Sequence, residues 1–347
     1  MSTAASSTLQ GMSRTVIRGA RGLDPLAAPA GVFVLALLLI GTTQTENYLS
    51  TFNITNILVQ VTPLVLVAVG QTYAIASGGL DLSVGSVVSL VAVVAAVLFE
   101  PLGVPLAVAV ALATGLAVGY VNGRAVAAGL EPFLVTIATL SIAQGVAFLI
   151  LLVPGGNVPP AFATIAGYWG PMPIALPLAL AAAAFAAFYL RRTATGAHIL
   201  AVGGDAEVAR VSGVRVDKAL VRAYMISALG ATLAGLFLVA RTRTGDPVIG
   251  ELLTLQSLAA AVLGGAILGG GRANILGTVL GALALGLVSN LLNFLGVLTF
   301  YQQVVTGALV IVAVLVPRLI SRAVTARRRR TEAQGIVSAQ SAEVTPE

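Results

Sequence analysis

Long apolar runs, separated by short polar segments and by proline and glycine, fill most of the 347-residue chain. Taking each run between charges and turn formers as one helix predicts ten, starting near residues 26, 56, 83, 104, 133, 172, 221, 254, 274 and 299. One stretch breaks the pattern. Arg191 to Arg222 reads RRTATGAHILAVGGDAEVARVSGVRVDKALVR and is polar over its length. Within it Gly196, Gly203 and Gly204 permit tight turns. Asp205 stands where it can cap a short helix through Ala206, Glu207, Val208, Ala209 and Arg210 to Gly213. The expected fold is therefore all-α and polytopic, with one small helix outside the bilayer. The first run, Leu26 to Thr43, is too long for the core of a signal peptide and is read as a retained helix. Residues 1–24 and 319–347 lack apolar periodicity and are expected to be disordered. That leaves residues 25–318 as the transmembrane domain, with residues 191–222 as its long cytoplasmic loop.

Composition agrees with a membrane setting. Hydrophobic residues make up 58% of the chain and charged residues 9%, with a mean hydropathy of +0.99; soluble domains carry roughly 25% charged residues. The chain has no cysteine, which excludes disulfides and thiolate metal sites. Its net positive charge of +6 would suggest nucleic acid in a soluble protein, but topology accounts for it here. With a cytoplasmic N-terminus and ten crossings, seventeen of the nineteen lysines and arginines fall inside, and only Arg241 and Arg243 fall outside. An odd number of crossings would destroy that bias, so both ends are expected in the cytoplasm. Arg327 to Arg330, just past the last run, read as an anchor on anionic membrane lipid. No nucleic-acid partner is expected.

Few residues advertise chemistry. There is no His/Glu metal pattern and no nucleophile beside a base, and the lone histidine, His198, falls in the polar loop. Asp81, in SGGLDLSVGS, is the most informative carboxylate. It has two readings: a cap accepting backbone N–H groups at the start of the third helix, with Gly78 and Gly79 making the turn, or part of a broken helix lining a path or gate inside the protein. A path for a hydroxylated solute needs polar groups facing a cavity. Gln71, Asp81, Ser83, Thr136, Thr139, Asn290 and Asn293 are the candidates, and Thr136 with Thr139, like Asn290 with Asn293, share a helical face. The same residues suit hydrogen bonds between helices. Gly265 with Gly269, and Gly277 with Gly281, have the spacing of close helix packing. Arg241, Arg243, Asp246 and Glu251 read as one charged patch on the outer face.

Four segments carry a resemblance: ASGGLDLSVGS at 76–86, EPFLVTIATLSIAQG at 131–145, AVGGDAEVARVSGVRV at 201–216, and the glycine-rich run beginning AVLGGAILGGGRANILG at 261. Together they resemble the permease subunit of bacterial ATP-binding-cassette importers for simple sugars, of the ribose, xylose and autoinducer-2 type. The resemblance implies that Gly204 to Gly213 dock on a separate nucleotide-binding subunit, with Glu207 and Arg210 as polar contacts. It also implies an extracellular or periplasmic sugar-binding protein, and a second permease subunit, identical or not. No phosphate-binding G-x-x-x-x-G-K-[ST] loop occurs in the chain, so ATP and Mg are expected only in the partner. This subunit is expected to be no enzyme and to hold no cofactor. A related permease for branched-chain amino acids or nucleosides is the nearer alternative. An ion-coupled secondary transporter is the more distant one, because it would need ionisable groups inside the helices.

Overall fold

The computed structural model describes residues 27–170, 172–298, 301–305, 307–309 and 311. The expectations for residues 1–24 and 319–347, with Arg327 to Arg330, lie outside the described residues. The backbone forms α1 (Ala28–Gln44), α2 (Thr51–Ala76), α3 (Val84–Ala127), α4 (Pro132–Ile150), the one-turn α5 (Pro160–Ala163), α6 (Ala175–Arg192), α7 (Ala194–Gly204), α8 (Ala206–Val211), α9 (Val216–Thr242), α10 (Glu251–Leu263) and α11 (Ile275–Phe294). Residues 301–305 are helical as well. One feature departs from the all-α expectation. A two-stranded antiparallel ribbon, β1 (Tyr168–Trp169) with β2 (Met172–Pro173), folds the proline- and glycine-rich segment before α6.

Among the described residues α2, α3, α4, α6, α9 and α11 are long and apolar enough to cross a membrane, while α1 and α10 are shorter apolar helices. At 44 residues α3 would be about 66 Å long if straight, twice a hydrocarbon core. Gly103, at φ 71°, breaks it between Pro101 and Pro105. Only glycine takes that backbone region without strain, so α3 is two apolar arms, as the sequence pattern requires. Starts differ where polar residues lead a helix. Helix α2 begins at Thr51 rather than near 56, because Ser50 caps it by accepting from the Asn53 amide at 3.3 Å. Helix α9 begins at Val216, so Arg191 to Arg222 is almost entirely helical rather than a loop.

Helix α9 is the most buried of the six and α4 the least. Gly115, Gly119 and Gly123 lie on one face of the second arm of α3. A methyl at any of them would overlap α9 at Thr232, Ala228 or Val221, the close approach that small residues every four positions permit. Gly277 and Gly281 of α11 seat in the same way against Gly264 and Ala260. Gly265 and Gly269 do not form such a face, because α10 ends at Leu263 and both fall in the turn beyond it.

The first arm of α3 serves as a depth scale. Ala96 meets the outer loops: the Asn157 amide donates to its carbonyl at 3.2 Å, and Gly245 packs against it. Gly250 packs instead on Gly85, eleven residues or about 16 Å deeper. Residues 243–250 therefore descend into the bundle, and α10 starts partway across. At Gly85 and Gly250 two helix starts meet and cap each other. The Gly250 amide donates to Ser89 Oγ at 3.0 Å, and the Gly85 amide donates to Thr254 Oγ1 at 3.1 Å. Each bond satisfies an amide that a helix start leaves open.

Candidate functional site

Two regions collect the candidate residues. The first is the projecting pair α7 and α8. Thr193 caps α7 by accepting from the Gly196 amide at 3.1 Å. Asp205 ends α7 and caps α8, its Oδ1 accepting from the Glu207 and Val208 amides, each at 2.9 Å. Gly213, at φ 84°, closes the element. Glu207 and Arg210 form an ion pair one turn apart with both side chains largely in solvent, so the pair adds little stability. Ala209 is buried, whereas Val208 and Val211 are 58% and 77% exposed. This six-residue helix presents two valines beside two charges to solvent. Val211 lies within the docking segment Gly204 to Gly213 but was not singled out in it; three residues after Val208, it shares that residue's face of the helix.

Beneath this surface α7 rests on bare backbone. The Ala76 carbonyl, at the end of α2, accepts from the Gly271 amide at 3.0 Å. Gly203 lies against the same carbonyl, and a methyl there would overlap it and stand 2.7 Å from the Gly271 nitrogen. Gly270, at φ 81°, approaches both the Gly203 carbonyl and Gly78. Three segments distant in sequence thus meet through glycines, and α9 is tied to α7 where Arg222 donates to Thr195 Oγ1 at 3.1 Å. The sequence signal for this junction is the set of glycine runs at 78–79, 203–204 and 269–271; the first two read as turns and Gly269 as helix packing with Gly265, none as a meeting of these three segments.

The second region surrounds Asp81, which is 1% exposed. Its Oδ1 accepts from the Ser83 amide at 3.1 Å and the Ser83 hydroxyl at 2.6 Å. The row continues: Asn122 Nδ2 donates to Ser83 Oγ at 2.9 Å, and Thr139 Oγ1 donates to Asn122 Oδ1 at 2.6 Å. The neighbouring Leu80 carbonyl accepts from Thr136 Oγ1 and the Tyr224 hydroxyl, both at 3.3 Å. Thr139 is seven residues into α4, about 10 Å from its start, so the row sits inside the bundle and not at its edge. Asp81 accepts a backbone amide just before α3, as the capping reading expects, within a buried interruption of the helical path, as the broken-helix reading expects. Its Oδ2, the Ser227 hydroxyl and both side-chain polar atoms of Gln71 have no hydrogen-bond partner among the described residues.

Asp81, Ser83, Thr136 and Thr139 are thus brought together, with Asn122 and Tyr224, which the sequence reading missed. Asn290 and Asn293 are elsewhere. Asn290 exchanges amide hydrogen bonds of 2.8 and 3.2 Å with Asn53 at the opposite end of α2, and Asn293 Oδ1 accepts from Gln302 at 2.7 Å. A separate cavity of about 200 Å³ between α2, α6 and α9 is lined by residues such as Val65, Leu66, Phe185 and Leu233. The Tyr73 hydroxyl at its wall already donates to the Ala186 carbonyl, so the cavity offers a hydroxylated solute almost no partners.

Residues 53–314 match the family described as branched-chain amino acid transport system / permease component. The chain is 36% identical over 297 residues to the ribose import permease protein RbsC of Bacillus subtilis, covering 83% of this chain and 91% of that protein. It is 34% identical to the D-allose transport system permease protein AlsC of Escherichia coli, covering 84% and 91%, and 32% identical to the fructose import permease protein FrcC of Rhizobium meliloti, covering 86% and 87%. No solved structure matches the chain.

Proposed function

The chain belongs to the permease-component family of branched-chain amino acid transport systems, and from that membership we propose that it carries a monosaccharide or related polyol through an ATP-driven, binding-protein-dependent importer by alternating access. It is a multi-pass protein of the bacterial inner membrane, and a transport component rather than an enzyme. A loaded binding protein docks outside, and ATP with Mg acts in a partner nucleotide-binding subunit that grips α8. A second permease copy, identical or related, completes the path. Ten crossings with both termini inside complete the reading: the two arms of α3 count separately, and residues 243–250 with α10 make one crossing.

One observation carries the coupling role. The exposed α8 is continuous with α7, whose end at Gly203 bears on the last carbonyl of α2, that of Ala76, five residues before Asp81, where the buried row begins its approach to α3. Backbone seated on backbone leaves no flexible side chain to absorb displacement, so a push on α8 moves the interruption between α2 and α3. Support for the substrate class comes from the three relatives named for ribose, allose and fructose.

The test is uptake in proteoliposomes holding the chain with its ATPase and binding protein. ATP-dependent uptake of ribose, allose or fructose, lost together with ATPase binding in the double variant Glu207→Lys, Arg210→Glu, is the expected result. Uptake of leucine alone would move the chain to an amino-acid importer. Uptake without ATP that an ionophore collapses would make it a secondary transporter.

A further inference from the structure

The charged patch that the sequence groups on the outer face separates by depth. Asp246 stays near the outer loops and caps the descending turn, accepting from the Val248 amide at 2.9 Å. Glu251 follows Gly250, which rests on Gly85, about 16 Å below the level of Ala96. A second scale agrees. Gln144 Nε2 donates to the Pro247 carbonyl at 2.6 Å, and Gln144 is twelve residues, about 18 Å, beyond the cytoplasmic start of α4. Glu251 is therefore near the middle of the protein's thickness.

Glu251 is exposed there, and so are its neighbours on α10, Leu252 at 47% and Leu255 at 58%. Among the described residues no cation pairs with it. A carboxylate at that depth does not face acyl chains, since ionisable groups in membranes turn to protein interiors or water-filled cavities. This chain supplies no interior at that face. We propose that Glu251 lines the water-filled translocation path and accepts hydrogen bonds from the hydroxyls of the passing sugar. The inference rests on the importer reading above for its ligand, but not for its depth.

The chemistry suits transit. A carboxylate accepts two sugar hydroxyls without demanding a counter-charge, and charge-assisted bonds are strong enough to draw a neutral polyol from water. With one such group per permease copy rather than a ring of them, the solute is held weakly enough to leave. The flanking Leu252 and Leu255 offer the less polar face of a sugar ring a dry surface.

Because the chain has no cysteine, Glu251→Cys introduces a single thiol. In the assembled transporter in vesicles, a membrane-impermeant charged methanethiosulfonate should modify it, and transported sugar should slow modification at least about fivefold. Glu251→Gln should keep binding-protein-stimulated ATPase activity while lowering uptake about tenfold, with Glu251→Asp retaining more uptake. A thiol that does not react, one whose rate ignores sugar, or a Gln variant with undiminished uptake overturns the proposal. If the unaltered transporter moves no sugar, the importer reading fails on its own, and reactivity at position 251 still decides whether that face meets water.

Discussion

Asp205 and Asp81 are both aspartates at helix starts, and their surroundings give them different work. Asp205 is solvent-exposed and satisfies two amides of α8. Asp205→Ala should destabilise that turn by about 1 kcal/mol, and Asp205→Asn should restore it, because both aspartate and asparagine are good caps. Hydrogen exchange at the Glu207 and Val208 amides reads this directly, with faster exchange expected only for the alanine. Asp81 anchors a buried row in which each group's partner is the next. Asp81→Leu removes the acceptor and leaves the Ser83 hydroxyl without it, at a cost of about 1 to 3 kcal/mol. Asp81→Asn keeps an acceptor oxygen for Ser83 and should unfold at a temperature close to the parent in detergent. Equal losses for the two variants would mean that the row does not hold the segment. Of these two residues the sequence made Asp205 legible, since a cap followed by a short helix and a glycine is a local pattern. Asp81 was singled out but not resolved, because its partners Asn122 and Thr139 come from α3 and α4 and no local pattern joins them.

The element boundaries show the same division. Apolar runs located every long helix, and even the bend at Gly103 was visible as two runs. Polar starts were misplaced by five residues at α2 and α9, because hydropathy reports contact with lipid whereas a helix continues for as long as its backbone bonds do. Depth was hidden altogether: the reciprocal caps Ser89 to Gly250 and Thr254 to Gly85 are ordinary hydroxyls in sequence. So was the glycine junction, where an absent side chain is the functional feature. Gly203→Ala tests that junction. The added methyl overlaps the Ala76 carbonyl and must lift α7 from α2 while leaving α8 and its cap unchanged. The expected outcome is an assembled complex that still binds its ATPase but transports several-fold less sugar per ATP hydrolysed, measured as uptake and phosphate release in the same vesicles. Gly204→Ala, whose methyl would meet only Gly271 at 4.0 Å, should transport normally. Equal behaviour of the two variants would remove the junction from the coupling path.

At the scale of the molecule, charge and architecture constrain each other. In the proposed topology the projecting α7 and α8 face the cytoplasm, the ribbon at Tyr168–Trp169 faces the opposite side, and an even number of crossings would account for the lysine and arginine bias. The short α10 enters the argument here, because thirteen residues span about 20 Å and make a full crossing only together with the descending residues 243–250. Were α10 a re-entrant hairpin instead, α11 would run the wrong way and Asn290 could not reach Asn53 at the outer start of α2. Single thiols in this cysteine-free chain decide the matter. Trp169→Cys, at a residue 79% exposed, should react with an impermeant maleimide in intact cells. Ser212→Cys, exposed beside α8, should react only after permeabilisation, as should a thiol appended at either chain end. Labelling of one end in intact cells would make the crossing count odd and place that end's basic residues, three at the N-terminus or six at the C-terminus, on the wrong side. The reverse pattern at 169 and 212 would put α8 outside, beyond reach of any cytoplasmic ATPase.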